Sequence, residues 1–106
     1  MRQLGIYNND IFAGVLTELA PGKGYVFVYD PGYLASGGNP VSVTLPLHPA
    51  PYEADHLFPF FVNLLPEGAN RSMICRQNRI DADDLFGLLA VMSGKDFIGA
   101  VNVRTL

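Results

Sequence analysis

Hydrophobic and polar positions alternate through the first thirty residues and then change period. Residues 4 to 8 and 11 to 17 alternate well enough for two strands, with Leu4 and Ile6 on one face. Asn8-Asn9-Asp10 lies between them and tolerates left-handed backbone, so the two strands are expected to form a hairpin. After the loop Ala20 to Gly24, the run Tyr25-Val26-Phe27-Val28-Tyr29 is aromatic and β-branched without a breaker, and predicts a third strand. Asp30-Pro31-Gly32 opens a turn, Tyr33-Leu34-Ala35 predicts a short helical piece, and Ser36 to Pro40 is loop by composition. Val41 to Leu45 predicts an edge strand, and the three prolines between Pro46 and Pro51 predict irregular chain crossing toward the helices.

From near Asp55 the period becomes helical. In the stretch FPFFVNLLPEGANR, Phe58 to Arg71, Pro59 suits an early helical position and Phe60, Phe61, Leu64 and Leu65 share one face. Pro66 is expected to end that helix, and Asn70 to cap a second one running from Arg71 to about Arg79. Pro66 to Arg71 then reads as an exposed elbow between two helices. A third helix is predicted with Asp81 as its N-cap and Asp83 and Asp84 toward its positive end. Its stripe is Leu85, Leu88, Leu89 and Met92, and Gly94 is its stop. Leu64, Leu65, Leu85, Leu88 and Leu89 are expected in the core. Ile98 to Val103 alternates again and predicts a returning strand. The order of strands, helices and a last strand predicts a single α+β domain spanning 1–106. Its antiparallel sheet has about four to five strands and is covered on one face, with three helices in the C-terminal half.

Composition narrows the function. The 106 residues are 49% hydrophobic and only 16% charged, against about 25% in ordinary soluble domains, which leaves apolar surface for a partner to cover. A formal net charge of −3 argues against direct contact with nucleic acid, which needs a basic face to displace counterions. Cys75 is the single cysteine, so no internal disulfide can form and a cytoplasmic home is expected. The N-terminal residues contain no continuous apolar run of the kind an export signal needs, and no apolar stretch is long enough to span a membrane.

Candidate chemistry is sparse. Gly22-Lys23-Gly24 and Gly37-Gly38-Asn39 lack the strand and helix context of a phosphate loop and read as turns. His48 and His56, with Glu53 and Asp55 nearby, match no standard ligand spacing, so no metal and no cofactor is expected. Cys75 reads as a small buried hydrophobe. Arg71, Arg76 and Arg79 line one short helix, where they can meet an anion or simply keep a face solvated. Nothing in the spacing holds Glu67 and Asp96 together as an acid–base pair, and no nucleophile–base–orienter set emerges, so the chain is not expected to be an enzyme.

Four ordered stretches carry more than composition: FVYDPGYLA at Phe27 to Ala35, FFVNLLPEG at Phe60 to Gly68, DLFGLLAVMSG at Asp84 to Gly94 and SGKDFIGAV at Ser93 to Val101. Following an N-terminal strand pair of the form IYNNDIFAGVL, they resemble the N-terminal subdomain of HipA-type serine/threonine kinases across nearly the whole chain. In that family the kinase machinery lies in a separate, following domain. A stand-alone subdomain is similar to the HipS-like antitoxins of three-component HipBST toxin–antitoxin systems. The resemblance therefore implies a HipT-like kinase toxin as partner, bound and inhibited, with a HipB-like DNA-binding protein in a ternary complex. The alternative reading is a docking module, or an N-terminal piece of such a kinase, that has no inhibitory role. A small metal-dependent enzyme using His48, His56 and Glu67 is the remote alternative. The expected partner contact is the elbow: Pro66, Glu67, Gly68, Ala69, Asn70 and Arg71.

Overall fold

A computed structural model describes residues 1–93 and 100–106. Strands β1 (Arg2–Asn8), β2 (Ile11–Ala20) and β3 (Lys23–Tyr29) form a meander. Helix α1 (Pro31–Ala35) follows, then an irregular stretch, strand β4 (Tyr52–Ala54), helices α2 (Pro59–Val62), α3 (Gly68–Asn78) and α4 (Leu85–Val91), and strand β5 (Val101–Thr105). The five strands make one antiparallel sheet in the order β4-β3-β2-β1-β5. With four described helices, this is the small α+β domain that the pattern predicts. The β1–β2 turn places Asn9 and Asp10 at φ 51 and 65, the left-handed pair that a tight hairpin requires. Ala13 is an extra residue in β2, opposite the register shift between Ile6 and Tyr7, and its carbonyl accepts from the Asp30 N–H at 2.7 Å.

The core is built on β3. Its inward side chains Tyr25, Phe27 and Tyr29 form a ladder, and each rung receives one aromatic from a different helix. Phe86 of α4 lies 6.4 Å from Tyr25, Phe61 of α2 lies 5.7 Å from Phe27, and Tyr33 of α1 stacks on Tyr29 at 6.2 Å. Leu4, Ile6, Leu16 and Val103 fill the same face from the neighbouring strands, and all four are buried. Gly14 sits beneath this layer because a Cβ there would come within 2.3 Å of the Val28 carbonyl and 3.1 Å of the Phe27 ring.

Several boundaries differ from the sequence reading. Val41 to Leu45 is not a strand. The Tyr29 hydroxyl accepts from the Val41 N–H at 3.1 Å and donates to the Leu45 carbonyl, drawing the segment into a turn closed by a single Ser42–Leu45 bridge. Burial holds that hydroxyl above the ordinary tyrosine range. The sheet edge is taken instead by the three-residue β4, which begins directly after Pro51. The first C-terminal helix is shorter than expected. Residues 55 to 58 are not helical, and after Val62 the chain continues in i→i+3 turns, with Leu64 and Leu65 N–H bonding to the Phe61 and Val62 carbonyls. Asp84, not Asp81, caps α4, accepting from the Gly87 N–H at 3.0 Å; Asp81 instead accepts from the Asp83 N–H. Leu65, Leu88 and Leu89 are buried as expected, whereas Leu64 and Leu85 are only partly so. The β5 strand ends two residues later than predicted; Gly94, Asp96 and Ile98 lie outside the described residues.

One ion-pair cluster fastens the sheet to α4. Arg2 donates to Glu18 from Nε at 2.8 Å and to Asp84 at 2.8 and 3.2 Å, and its guanidinium lies 5.2 Å from the Phe86 ring. Glu18 is only 2% exposed and also accepts from the Tyr25 hydroxyl and the Gly22 N–H. Arg2 holds Asp84 below the ordinary carboxylate range, with burial opposing, while burial first and the Glu18 charge second push Tyr25 up. Arg2→Ala would leave Glu18 buried without its cation. Because Arg2 itself is 40% exposed, the expected loss is about 2 kcal/mol rather than the larger figure for a fully buried pair. The contribution of Asp84 is present above its unfolded pKa of about 3.9 and disappears as pH falls through its depressed folded value. Urea titrations of both proteins at pH 7 and pH 3 therefore should show the gap between Arg2→Ala and the parent narrowing in acid. A gap of constant size would refute the pairing.

Candidate functional site

The chain between α2 and α3 is held at both ends and open in the middle. On one side Leu65 is buried and Pro66 half-buried; on the other Cys75 anchors α3 in the core and Arg71 is half-buried. Arg71 Nε donates to the Pro66 carbonyl at 2.9 Å, closing the bend into a clamped loop. Glu67, Gly68, Ala69 and Asn70 are all exposed. The structure thus brings all six elbow residues together at the surface, with one correction. Helix α3 starts at Gly68, not Arg71, and Glu67 occupies the N-cap position instead of Asn70. Gly68 explains the early start. Its φ of +58 redirects the chain within one residue, and space around it is open, so the turn needs no further loop. Ala69, Asn70 and Arg71 accordingly lie in the first helical turn. Glu67 makes no side-chain cap, and no other acidic residue falls in that turn.

The remaining candidates do not assemble. His48 and His56 are both exposed, and His48 Nδ1 accepts from the Ala50 N–H in its own loop. Among the described residues no group of three or more His, Cys, Asp or Glu side chains is placed to hold a metal ion. Cys75 is a buried free thiol. Glu67 is exposed, and Asp96 lies outside the described residues. Gly22-Lys23-Gly24 forms the β2–β3 turn and the first residues of β3. A cleft of about 560 Å³ opens beside Arg2, Glu18, Tyr25, Asp81, Asp83 and Asp84. Its two innermost carboxylates are already committed to Arg2, so it offers a fixed charge cluster rather than a free acid and base.

That cluster was missed from sequence. Its one local signal was Gly87, a poor residue near the start of a helix. A Cβ at this position would sit 2.2 Å from Asp84 Oδ2 and 3.2 Å from Arg2 Nη1, so glycine keeps room for the ion pair.

Residues 4–104 match the model of the HipA N-terminal domain. The chain belongs to the HipA N-terminal domain family. A relative in Haemophilus influenzae, described as an uncharacterized protein, is 36% identical over 93 residues, covering 88% of this chain and 82% of the relative. The solved N-terminal domain of HipA toxin superposes with a TM-score of 0.72 at 29% identity, covering 98% of this chain and 93% of that one. The meander, aromatic ladder and clamped elbow thus belong to a HipA N-terminal domain. Among its described residues no helix is long and apolar enough to cross a membrane.

Proposed function

We propose that this HipA-family domain is a HipS-like antitoxin that binds a HipT-like serine/threonine kinase toxin through the Pro66 to Arg71 elbow and inhibits it by occupancy. The observation that carries this reading is the clamped, exposed elbow within a domain whose solved counterpart comes from HipA toxin. Such a bend loses little conformational entropy on docking, because Leu65, Arg71 and Cys75 already fix its path. Its uncapped first-turn N–H groups are available as donors to a partner acceptor. A bend lodged against a kinase cleft blocks closure without any chemistry of its own.

The aligned part makes up 82% of the Haemophilus relative, so there the domain accounts for most of the protein, which agrees with a separately made inhibitor. Separation changes the physics. A tethered subdomain meets its kinase at an effective concentration on the order of mM, whereas a separate chain binds according to its cellular level, which makes inhibition adjustable. In this reading a HipB-like DNA-binding protein joins the complex, this chain touches no nucleic acid directly, and the assembly resides in the cytoplasm, in keeping with the free Cys75 thiol.

The test is a titration of the purified chain into a HipT-like kinase assay. Autophosphorylation and substrate phosphorylation are expected to fall stoichiometrically. Tight binding with undiminished turnover would make the chain a docking module instead. By itself the chain is expected to hydrolyse no ATP and to need no metal or cofactor. Turnover that co-purifies with it and disappears in Glu67→Ala would overturn this part of the proposal.

A further inference from the structure

Helix α3 is larger than its packing requires. Of its eleven residues only Cys75 is buried, with Arg71 and Ile74 half-buried on the same side. The opposite side presents Ala69, Met73, Arg76 and Gln77, and Met73 is 45% exposed. The helix ends at Arg79, whose backbone is left-handed at φ 55 and ψ 46 while the Ile80 N–H returns to the Cys75 carbonyl at 3.0 Å. Glycine or asparagine takes this conformation more cheaply than arginine. A cation in the last turn complements the helix dipole, which accounts for Arg76, but it does not require a guanidinium at the strained position. Arg2 and Arg104 are paired with carboxylates and Arg71 is tied to Pro66. Arg76 and Arg79 are exposed and make no ion pair among the described residues.

We infer that the exposed strip of Met73 and Arg76 on the outer side of α3, together with Arg79 at the helix's C-cap, docks an acidic segment of the partner kinase. This rests on the kinase-binding reading above and extends it from the elbow along α3. The charge pattern selects the occupant. Two exposed guanidiniums that make no ion pair among the described residues, on a helix that also exposes the Met73 thioether, suit carboxylates flanking an apolar side chain. Asp81 and Asp83, both exposed, follow directly after Ile80. A continuous polyanion such as duplex DNA is disfavoured by the formal net charge of −3, whereas a short acidic segment needs only the two guanidiniums.

The experiment measures affinity for the kinase between about 50 and 300 mM salt, for the parent, Arg76→Glu/Arg79→Glu, Arg79→Gly and Ala69→Glu, alongside melting of each free chain. The double reversal is expected to bind about tenfold or more weakly with a flatter salt dependence. Arg79→Gly is expected to melt no lower than the parent, since it relieves the left-handed arginine, yet to bind a few-fold more weakly. Parent-like affinity and salt slope in both arginine variants, with Ala69→Glu still impaired, would overturn the α3 contact and leave the elbow reading standing. Failure of the parent to bind the kinase would overturn both. Binding of a fluorescent DNA duplex by the free chain, lost on double reversal, would assign the strip to phosphate and overturn the acidic-segment proposal.

Discussion

Leu88→Ala is expected to remove about 3 to 5 kcal/mol from the stability of the domain. Leu88 is fully buried and sits in α4 between Gly87 and Leu89, themselves buried, with Phe86 packed on Tyr25. The site has little freedom to collapse. Phe86 on the same helix packs on the aromatic ladder, and the Arg2–Asp84 pair fixes the start of the helix. The loss therefore includes both the transfer of the missing methyl groups and the cavity left behind. For a domain of ordinary stability, about 5 to 15 kcal/mol, this is a large fraction, and urea unfolding should show it as a much lower midpoint at similar slope. A midpoint within experimental error of the parent would mean that α4 does not pack on the sheet as described.

The position of Leu88 was legible from sequence because helical period and burial coincide there. The same is true of β1 to β3, where alternation, the Asn9-Asp10 turn and the aromatic run agree. The elbow was legible in place but not in detail. Periodicity cannot tell a helix from consecutive i→i+3 turns that bury the same side, so Phe60 to Leu65 read as one helix although α2 ends at Val62. Asn70 has the chemistry of a cap, but the left-handed Gly68 starts the helix first. Val41 to Leu45 has strand composition, and its fate was decided by a distant hydroxyl, that of Tyr29. Arg2 and Asp84 stand 82 positions apart, a coupling that no local pattern reports.

Under the proposed elbow contact, Ala69→Glu is expected to carry the other large effect, falling on the complex with the kinase rather than on the free chain. Ala69 is exposed in the first turn of α3, where no side chain is displaced and where a carboxylate complements the positive end of the helix. The free domain is therefore expected to change by about 0.5 kcal/mol or less. In the complex the same carboxylate would be buried against the kinase without a partner, at a cost of about 3 to 5 kcal/mol, which is roughly a hundredfold or greater loss of affinity. Gly68 and Asn70 flank it on the exposed side, and the Arg71–Pro66 bond keeps the bend from swinging away to relieve the clash.

The most direct measurement is thus a paired one: thermal melting of free Ala69→Glu together with its titration against the HipT-like kinase, read as both binding and residual phosphorylation. The account predicts a melting curve superimposable on the parent's and a kinase that stays active at concentrations where the parent chain silences it. A variant that folds, binds and inhibits as the parent does would contradict the elbow as the inhibitory contact.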